Sequence, residues 1–426
     1  MEITAGILAG GYSSRMGDNK IVMDWRGHTF LETVLEACSD LPEIILSVDE
    51  AGRYSDLPYP RVVDELKGFG PLEGIYQILR KARTPYVLIL AADMPLLTRE
   101  FIRGFLSLAA GDADCAVLRL NGKPQPMCSV YSRKILPIIE KARAEGIHKP
   151  GFLFPRVNTR YVEMETTGFD PMTIANINTP EEYEEICMKY GRRITEFAPF
   201  LEEKTRAART MVCYLDGLGY RAFKRASAAG ALPFMSEAFK VSPMRTTEPP
   251  LTNPAFAAMI TGALPEVSHV FSHKDSLIAV PTIFAGRTEE NTAFLEGDTR
   301  ILKTEISPVL HVTRGGRSGD YWIFKDALKE AAGQKSLIFA HFHEIDDAAH
   351  EYGPYSSAYM EKLRETDAYL KSLSEAFEGT FLLISDHGVL GGPDGGSHGE
   401  TREGQVFEDR DPEEALAIWG ERHDSR

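Results

Sequence analysis

The sequence predicts two unlike α/β domains in tandem, on three observations. The first is length: 426 residues, at about 150 residues per domain, call for two or three cores. The second is a strand-and-helix alternation that runs to about residue 190 and then restarts. Ile3–Ala9, Glu43–Val48, Tyr86–Ala91 and Cys115–Leu120 are short apolar runs of buried-strand type. Phe30–Cys38, Leu72–Arg80, Arg99–Leu108 and Ser132–Ala142 carry apolar residues at helical spacing, and such alternation predicts a parallel sheet covered by helices. Met211–Leu215, Ser336–Phe342 and Thr380–Ser385 are again strand-like, each followed by polar, glycine-rich or histidine-rich sequence. The third is the break at 179–209. It opens with Thr179-Pro180-Glu181-Glu182, a helix start with acidic residues in its first turn, and then turns charged and mixed without a strand signal. These features predict domains at 1–195 and 208–426, joined by a linker at 196–207.

Composition narrows the function. The chain carries 47 Lys and Arg against 62 Asp and Glu, a net charge of −15. Wrapping polymeric nucleic acid needs clustered cations, so the acidic balance excludes the polymer but not a nucleotide. Five cysteines are widely spaced with no C-x-x-C pair; that is neither a disulfide framework nor a zinc–thiolate site and fits a reducing compartment. The start lacks a basic n-region, no apolar run approaches the roughly 18 residues of a membrane span, and a cytoplasmic protein without membrane partners is expected.

The first strand runs into Leu8-Ala9-Gly10-Gly11-Tyr12-Ser13-Ser14-Arg15-Met16-Gly17-Asp18-Asn19-Lys20. This is a strand, a glycine turn whose N–H groups can approach phosphate oxygens, and two cations: a planar fork at Arg15 and a point charge at Lys20. The spacing is not that of G-x-x-x-x-G-K-[ST], which excludes a P-loop kinase or ATPase. A second strand ends in Ala91-Ala92-Asp93-Met94-Pro95. Ligands gather at the carboxyl ends of parallel strands, so Asp93 is placed to hold a metal ion, and Mg²⁺ favours one or two carboxylates plus substrate phosphates. Standing alone, Asp93 has a lesser competing reading as a helix N-cap.

The glycine loop, Gly70-Pro71-Leu72-x-Gly74-Ile75, Ala92-Asp93-Met94-Pro95, Gln125-Pro126-Met127 before Tyr131, and Asn176-Ile177-Asn178-Thr179-Pro180-Glu181 together resemble the molybdenum cofactor guanylyltransferases. The resemblance covers residues 1 to about 190 and implies a Rossmann-like nucleotidyltransferase domain. It implies attack by the terminal phosphate of molybdopterin on the α-phosphorus of GTP, expelling pyrophosphate. By it, Leu8, Ala9, Gly10, Gly11, Ser13, Arg15, Lys20 and Gly70 would hold the nucleotide and Asp64 its guanine-nucleoside end. Asp93 would hold Mg²⁺, and Asn176 and Asn178 would line the pterin side. Arg15, Lys20 and Asp93 are the expected catalytic groups, since phosphoryl chemistry of this kind runs on positioning and charge neutralisation without a protein nucleophile. Asn19 departs from the Asp usual before the Lys. Cytidylyl- and uridylyltransferases share the loop, so transfer from another NTP to a different phosphorylated acceptor is the alternative.

The second strand system carries another constellation: Asp216-Gly217 after an apolar strand, Asp346 and His350 four apart, Asp386-His387-Gly388 at a strand end, and Gly396-Ser397-His398. Asp and His suit Zn²⁺, with Mn²⁺ a weaker match for imidazole. Spacing of four on a helix aims both side chains one way. Thr252, ahead of the apolar helix Ala255–Thr261, would either cap that helix or hold its oxygen on a metal as a nucleophile.

These residues, with Thr261-Gly262-x-x-Pro265-x-x-x-His269, resemble the alkaline phosphatase superfamily, nearest its type I phosphodiesterase and nucleotide pyrophosphatase branch, over about 208–426. The resemblance implies an alkaline-phosphatase-like α/β domain with two divalent cations, Zn²⁺ or Mn²⁺. One would be held by Asp216, Thr252, Asp386 and His387, the other by Asp346, His350 and His398. A phosphoester would be cleaved through a phospho-threonine at Thr252. No residue is assigned to oxyanion stabilisation; Asn253, His273 and Lys274 are candidates. The alternatives for this domain are a phosphomonoesterase, a phosphomutase-like enzyme or a regulatory module.

Overall fold

The computed structural model describes residues 2–10, 20–392, 395–398 and 411–423, in two compact units, Met1–Tyr183 and Glu184–Arg426.

The first unit is a seven-stranded sheet. Its strands are β1 (Ile3–Leu8), β4 (Glu43–Val48), β5 (Arg61–Val63), β6 (Tyr86–Ala91), β7 (Cys115–Leu120), β8 (Lys123–Ser132) and β9 (Thr159–Glu163), after a small β2–β3 hairpin (Asp24–Trp25, His28–Thr29). The order is β5-β4-β1-β6-β8-β7-β9. Alternate residues feed opposite faces, as the period of two in a strand requires: Leu88 and Leu90 of β6 join one core cluster, Val87 and Ile89 the other. Helices α1 (Phe30–Ala37) and α3 (Arg99–Ala109) contribute to the first cluster, and α2 (Pro71–Lys81) and α4 (Leu136–Ala144) to the second. The sheet is mixed, not all-parallel as expected, because β8 runs antiparallel to both β6 and β7. Its first half, Lys-Pro-Gln-Pro, is polar and carries prolines that cannot donate to a ladder, so it does not read as a strand. Leu8 pairs with Ala91, which brings the loops after β1 and β6 out at the same edge.

The second unit centres on β10 (Thr210–Leu215), flanked in parallel by β14 (Leu337–Phe342) and β15 (Thr380–Ile384). With β11 (Phe239–Arg245), β12 (Thr292–Glu296), β13 (Val309–Leu310) and β18 (Leu416–Arg422), the order is β11-β18-β15-β10-β14-β12-β13. Strand β18 is antiparallel to both neighbours. Leu215 pairs with Phe342 and Tyr214 with Ile384, so Asp216, His343 and Asp386 leave the sheet at one edge.

The segment expected as linker, 196–207, is a correction. It is almost wholly α6 (Phe197–Ala207), whose Phe197, Ala198 and Leu201 are buried in the second unit's core. Phe197 meets Trp419 edge-on at 5.2 Å between ring centroids. Its charged residues form the outer face, and they mask a short apolar stripe. Among the described residues no helix is long and apolar enough to cross a membrane.

Candidate functional site

In the first unit, a cleft of about 730 Å³ opens at the carboxyl edge of β1, β4 and β6. Leu8, Ala9, Gly10, Asp64, Gly70, Asp93, Asn176 and Asn178 all line it, with Asp49 and Lys67 beside them. Gly11, Ser13 and Arg15, and the side chain of Lys20, lie outside the described residues. Backbone bonds knit the walls: Ala9 N donates to the Ser47 carbonyl at 2.9 Å, Ala92 N to the Leu8 carbonyl at 3.1 Å, and Ile177 N to the Asp93 carbonyl at 3.1 Å. The last bond seats the Asn176–Asn178 segment beside Asp93, which is 7% exposed. Asn178 turns its amide nitrogen onto the Asn176 carbonyl at 3.0 Å.

Asp64 accepts from the Ser47 hydroxyl at 3.2 Å. Burial raises its carboxyl above the ordinary value; the Ser47 bond opposes the rise and the nearby Glu73 charge adds to it. Gly70 opens α2 at φ +104°, a left-handed conformation that glycine adopts without strain, and Pro71 follows where a missing N–H costs nothing. Sequence reasoning missed Glu73, which is wholly buried. Its carboxylate takes Arg143 Nε at 2.6 Å, Gln77 Nε2 at 2.7 Å and the Glu65 backbone N–H at 3.1 Å. That last bond pins the Asp64–Gly70 loop that forms one wall of the cleft.

In the second unit, strand ends and two helix starts converge. Thr252 is the first residue of α9 (Thr252–Thr261), and the cap position belongs to Leu251. Its hydroxyl lies 3.4 Å from Asp216 Oδ1 and 3.2 Å from His387 Nε2. His387 Nε2 is 3.1 Å from Asp386 Oδ2 and 3.5 Å from Asp216 Oδ1. Asp346 and His350, on α12 (Glu344–Tyr352), are 3.4 Å apart, and His350 Nε2 is 3.1 Å from His398 Nε2. The His387 and His398 rings meet edge-on with centroids 4.4 Å apart. Ligating atoms from Asp216, Asp386 and His387, and from Asp346, His387 and His398, therefore cluster within 4.8 Å of one another. Gly217 makes this approach possible: its φ is +71°, and a Cβ there would stand 2.4 Å from Asp346 Oδ1.

The electrostatics show the cost of gathering these groups. Burial and then the Asp216 charge push the Asp386 carboxyl up to about 8. Burial would raise Asp216 as well, but His341 and His343 outweigh it and hold that carboxyl well below the usual range. Its bond to Asp346 raises His350 to about 9, while burial and the neighbouring His387 and His350 push His398 down to about 3. Asp346 Oδ1 and His398 Nδ1 are buried with no hydrogen-bond partner among the described residues. Crowded carboxylates, imidazoles and orphaned donor atoms form a set that divalent cations fit.

Sequence reasoning missed His341 and His343, both beside Asp216, and Glu296 behind His341. The available signal was the His-x-His spacing across the end of β14, His341 within the strand and His343 just past it. Asn253, an oxyanion candidate, spends its side-chain nitrogen on the carbonyls of Asp275 at 2.9 Å and His273 at 3.3 Å.

A cleft at the carboxyl edge of the first sheet and a Thr–Asp–His cluster at the edge of the second are two sites of unlike composition, and the family matches make the chain a transferase fused to a hydrolase. The MobA-like NTP transferase domain family matches residues 5–153, and the type I phosphodiesterase / nucleotide pyrophosphatase family matches 301–403. The second match contains Asp346, His350, Asp386, His387 and His398; Asp216 and Thr252 precede it and are joined to it by the geometry above. A probable molybdenum cofactor guanylyltransferase of Flavobacterium johnsoniae is 31% identical over 184 residues, 43% of this chain and 96% of that protein. The molybdenum cofactor guanylyltransferase of Pseudomonas putida is 33% identical over 187 residues, 42% of this chain and 94% of that protein. The crystal structure of molybdopterin-guanine dinucleotide biosynthesis protein A from Archaeoglobus fulgidus aligns with 44% of this chain and 99% of that chain, at 26% identity and a TM-score of 0.39. Through its first unit the chain belongs to the molybdenum cofactor guanylyltransferase family, and its second unit is of the phosphodiesterase type.

Proposed function

We propose that the chain is bifunctional: the first unit transfers a guanylyl group from GTP to molybdopterin with release of pyrophosphate, and the second hydrolyses a phosphodiester through Thr252. The observation that carries the first half is the cleft itself, which gathers Gly10, Asp64, Asp93, Asn176 and Asn178 in one space of about 730 Å³. Ala9 and Gly10 present backbone to phosphate, Asp64 stands at the nucleoside end, and Asn176 and Asn178 face the acceptor. Asp93 fits a Mg²⁺ by chemistry, one carboxylate at a strand end with room for substrate phosphates. Holding both substrates in line leaves the acceptor phosphate to attack without a protein nucleophile.

For the second half the carrying observation is the Thr252 hydroxyl, set between Asp216 and His387 at the start of α9. Asp216, Thr252, Asp386 and His387 would hold one divalent cation, and Asp346, His350 and His398 the other. Bound there, Zn²⁺ or Mn²⁺ would supply charge neutralisation at phosphoryl oxygens and a lowered hydroxyl pKa. The N-terminus of α9 favours negative charge on the Thr252 oxygen as it bonds to phosphorus and the ester oxygen departs. Water then releases the phosphoryl group from Thr252.

The test uses the full chain. Thermal shift with GTP, CTP and ATP plus Mg²⁺ should stabilise with GTP; stabilisation by CTP alone would replace guanylyl with cytidylyl transfer. An aryl phosphodiester should be cleaved with Zn²⁺ or Mn²⁺ and spared after chelation.

A further inference from the structure

We propose that Asp320 is a positioning residue for the second unit's chemistry: from α11 (Gly319–Ala331) it fixes the start of α12, and with it the aim of Asp346 and His350. This rests on the two-cation reading above and deepens it. A helix leaves its first N–H groups without partners inside itself. In α12 the residue at the cap position, His343, makes no side-chain capping bond, and its ring is turned toward Asp216. Asp320, only 1% exposed, supplies the cap from another helix. Its Oδ1 accepts from the His343 N–H at 3.0 Å and its Oδ2 from the Glu344 N–H at 3.1 Å. The exchange is reciprocal, since the Asp320 N–H donates to Glu344 Oε1 at 3.3 Å. Lys362, on α13 (Ser357–Ala376), holds the other Glu344 oxygen at 2.6 Å.

Asp346 and His350 are the third and seventh residues of α12, so the turn that Asp320 grips carries both. Side chains that share a metal ion must be held within about 0.5 Å of the productive geometry. Asp346 has little room to find it alone, because its Oδ1 stands 2.4 Å from where a Cβ on Gly217 would be. His398, the third member of this seat, follows another element, β17 (Gly395–Ser397). A slip of α12 would therefore carry Asp346 and His350 together away from it. Asp320 acts through the backbone of α12, with its bonds at His343 and Glu344. The same device occurs where no chemistry depends on it. The buried Asp367 of α13 accepts from the Phe234 N–H at 3.0 Å and the Met235 N–H at 2.8 Å. These open α8 (Pro233–Ala238), which carries no candidate ligand. The molecule thus contains a matched control, a carboxyl that only supports a helix.

The test is metal affinity. The full chain is stripped with chelator and titrated with Zn²⁺, or with Mn²⁺ if zinc does not bind, and read by calorimetry. Wild type, Asp320→Ala, Asp367→Ala and His350→Asn are compared, with circular dichroism as the check on folding. His350→Asn marks the seat formed by Asp346, His350 and His398. Asp320→Ala should weaken binding at that seat by about 10–100-fold, the usual effect of removing a residue that orients a metal ligand. Asp367→Ala should keep wild-type affinity at both seats, although both Ala variants melt earlier. Asp320→Asn, which keeps one accepting oxygen, should recover part of the loss. The Asn variants of both aspartates serve if the Ala variants do not fold. Equal affinity in the Asp320 and Asp367 variants, or a loss confined to the other seat, would overturn the proposal and leave Asp320 a support of the fold. A wild type that binds neither metal would overturn the two-cation reading itself, which is a separate outcome.

Discussion

At the scale of the residue, the reading of each unit turns on one side chain and its polar partners. Thr252 begins a helix it does not cap, and its hydroxyl points at Asp216 and His387. Thr252→Ala should therefore leave the fold intact while lowering aryl phosphodiester turnover by at least about 10³-fold; Thr252→Ser should restore a measurable part, read as the initial rate of nitrophenolate release. Glu73 is the counterpart in the first unit. It is a buried carboxylate whose bonds hold Arg143, Gln77 and the Glu65 backbone. Breaking a buried ion pair leaves the partner charge uncompensated, so Glu73→Ala should destabilise by about 3–5 kcal/mol in urea melts and raise KM for the nucleotide. Such a residue is hard to read in a sequence, because a Glu in the first turn of a helix is ordinary there and its burial depends on Arg143, 70 positions away. His341 and His343 escaped for a related reason: they end an apolar run and count as strand until Asp216 is brought beside them.

At the scale of the element, the informative feature is the strand end. β10, β14 and β15 lie parallel and in register, and the residues just past them carry the candidate chemistry. This much was legible: Asp216 and Asp386-His387 follow apolar strands, and Asp346 and His350 keep helical spacing. The strands with clean apolar runs, such as Glu43–Val48 and Tyr86–Ala91, have the bounds their sequence suggests. What escaped was antiparallel or mixed in character. β8 begins with a polar, proline-bearing half, and β11 and β18 lie at the far side of the second sheet, where polar and apolar residues mingle. α6 escaped because its apolar stripe is short beside its charges. Gly217 is the element-scale constraint most open to test. With φ at +71° and Asp346 Oδ1 2.4 Å from any added Cβ, Gly217→Ala should cost at least about 1–2 kcal/mol. It should also lower zinc content, measured by thermal melting and elemental analysis.

At the scale of the whole molecule, the two units have separate cores, and their candidate sites differ in composition. The acidic balance of −15 fits sites whose local positive charge would come from cations. The five cysteines are free and buried, and burial pushes the Cys38 and Cys115 thiols up to about 12. The native chain should resist a thiol-specific disulfide reagent at pH 8 and react fully only after denaturation; rapid native labelling would contradict the packing described. The central claim is that one chain carries two independent reactions, and the most direct measurement is a crossed assay of Asp93→Ala and Thr252→Ala in the full-length protein. Pyrophosphate release from GTP and molybdopterin should vanish in Asp93→Ala and persist in Thr252→Ala, while aryl phosphodiester hydrolysis should show the reverse. Loss of both activities in either folded variant, or of neither in both, would contradict the account.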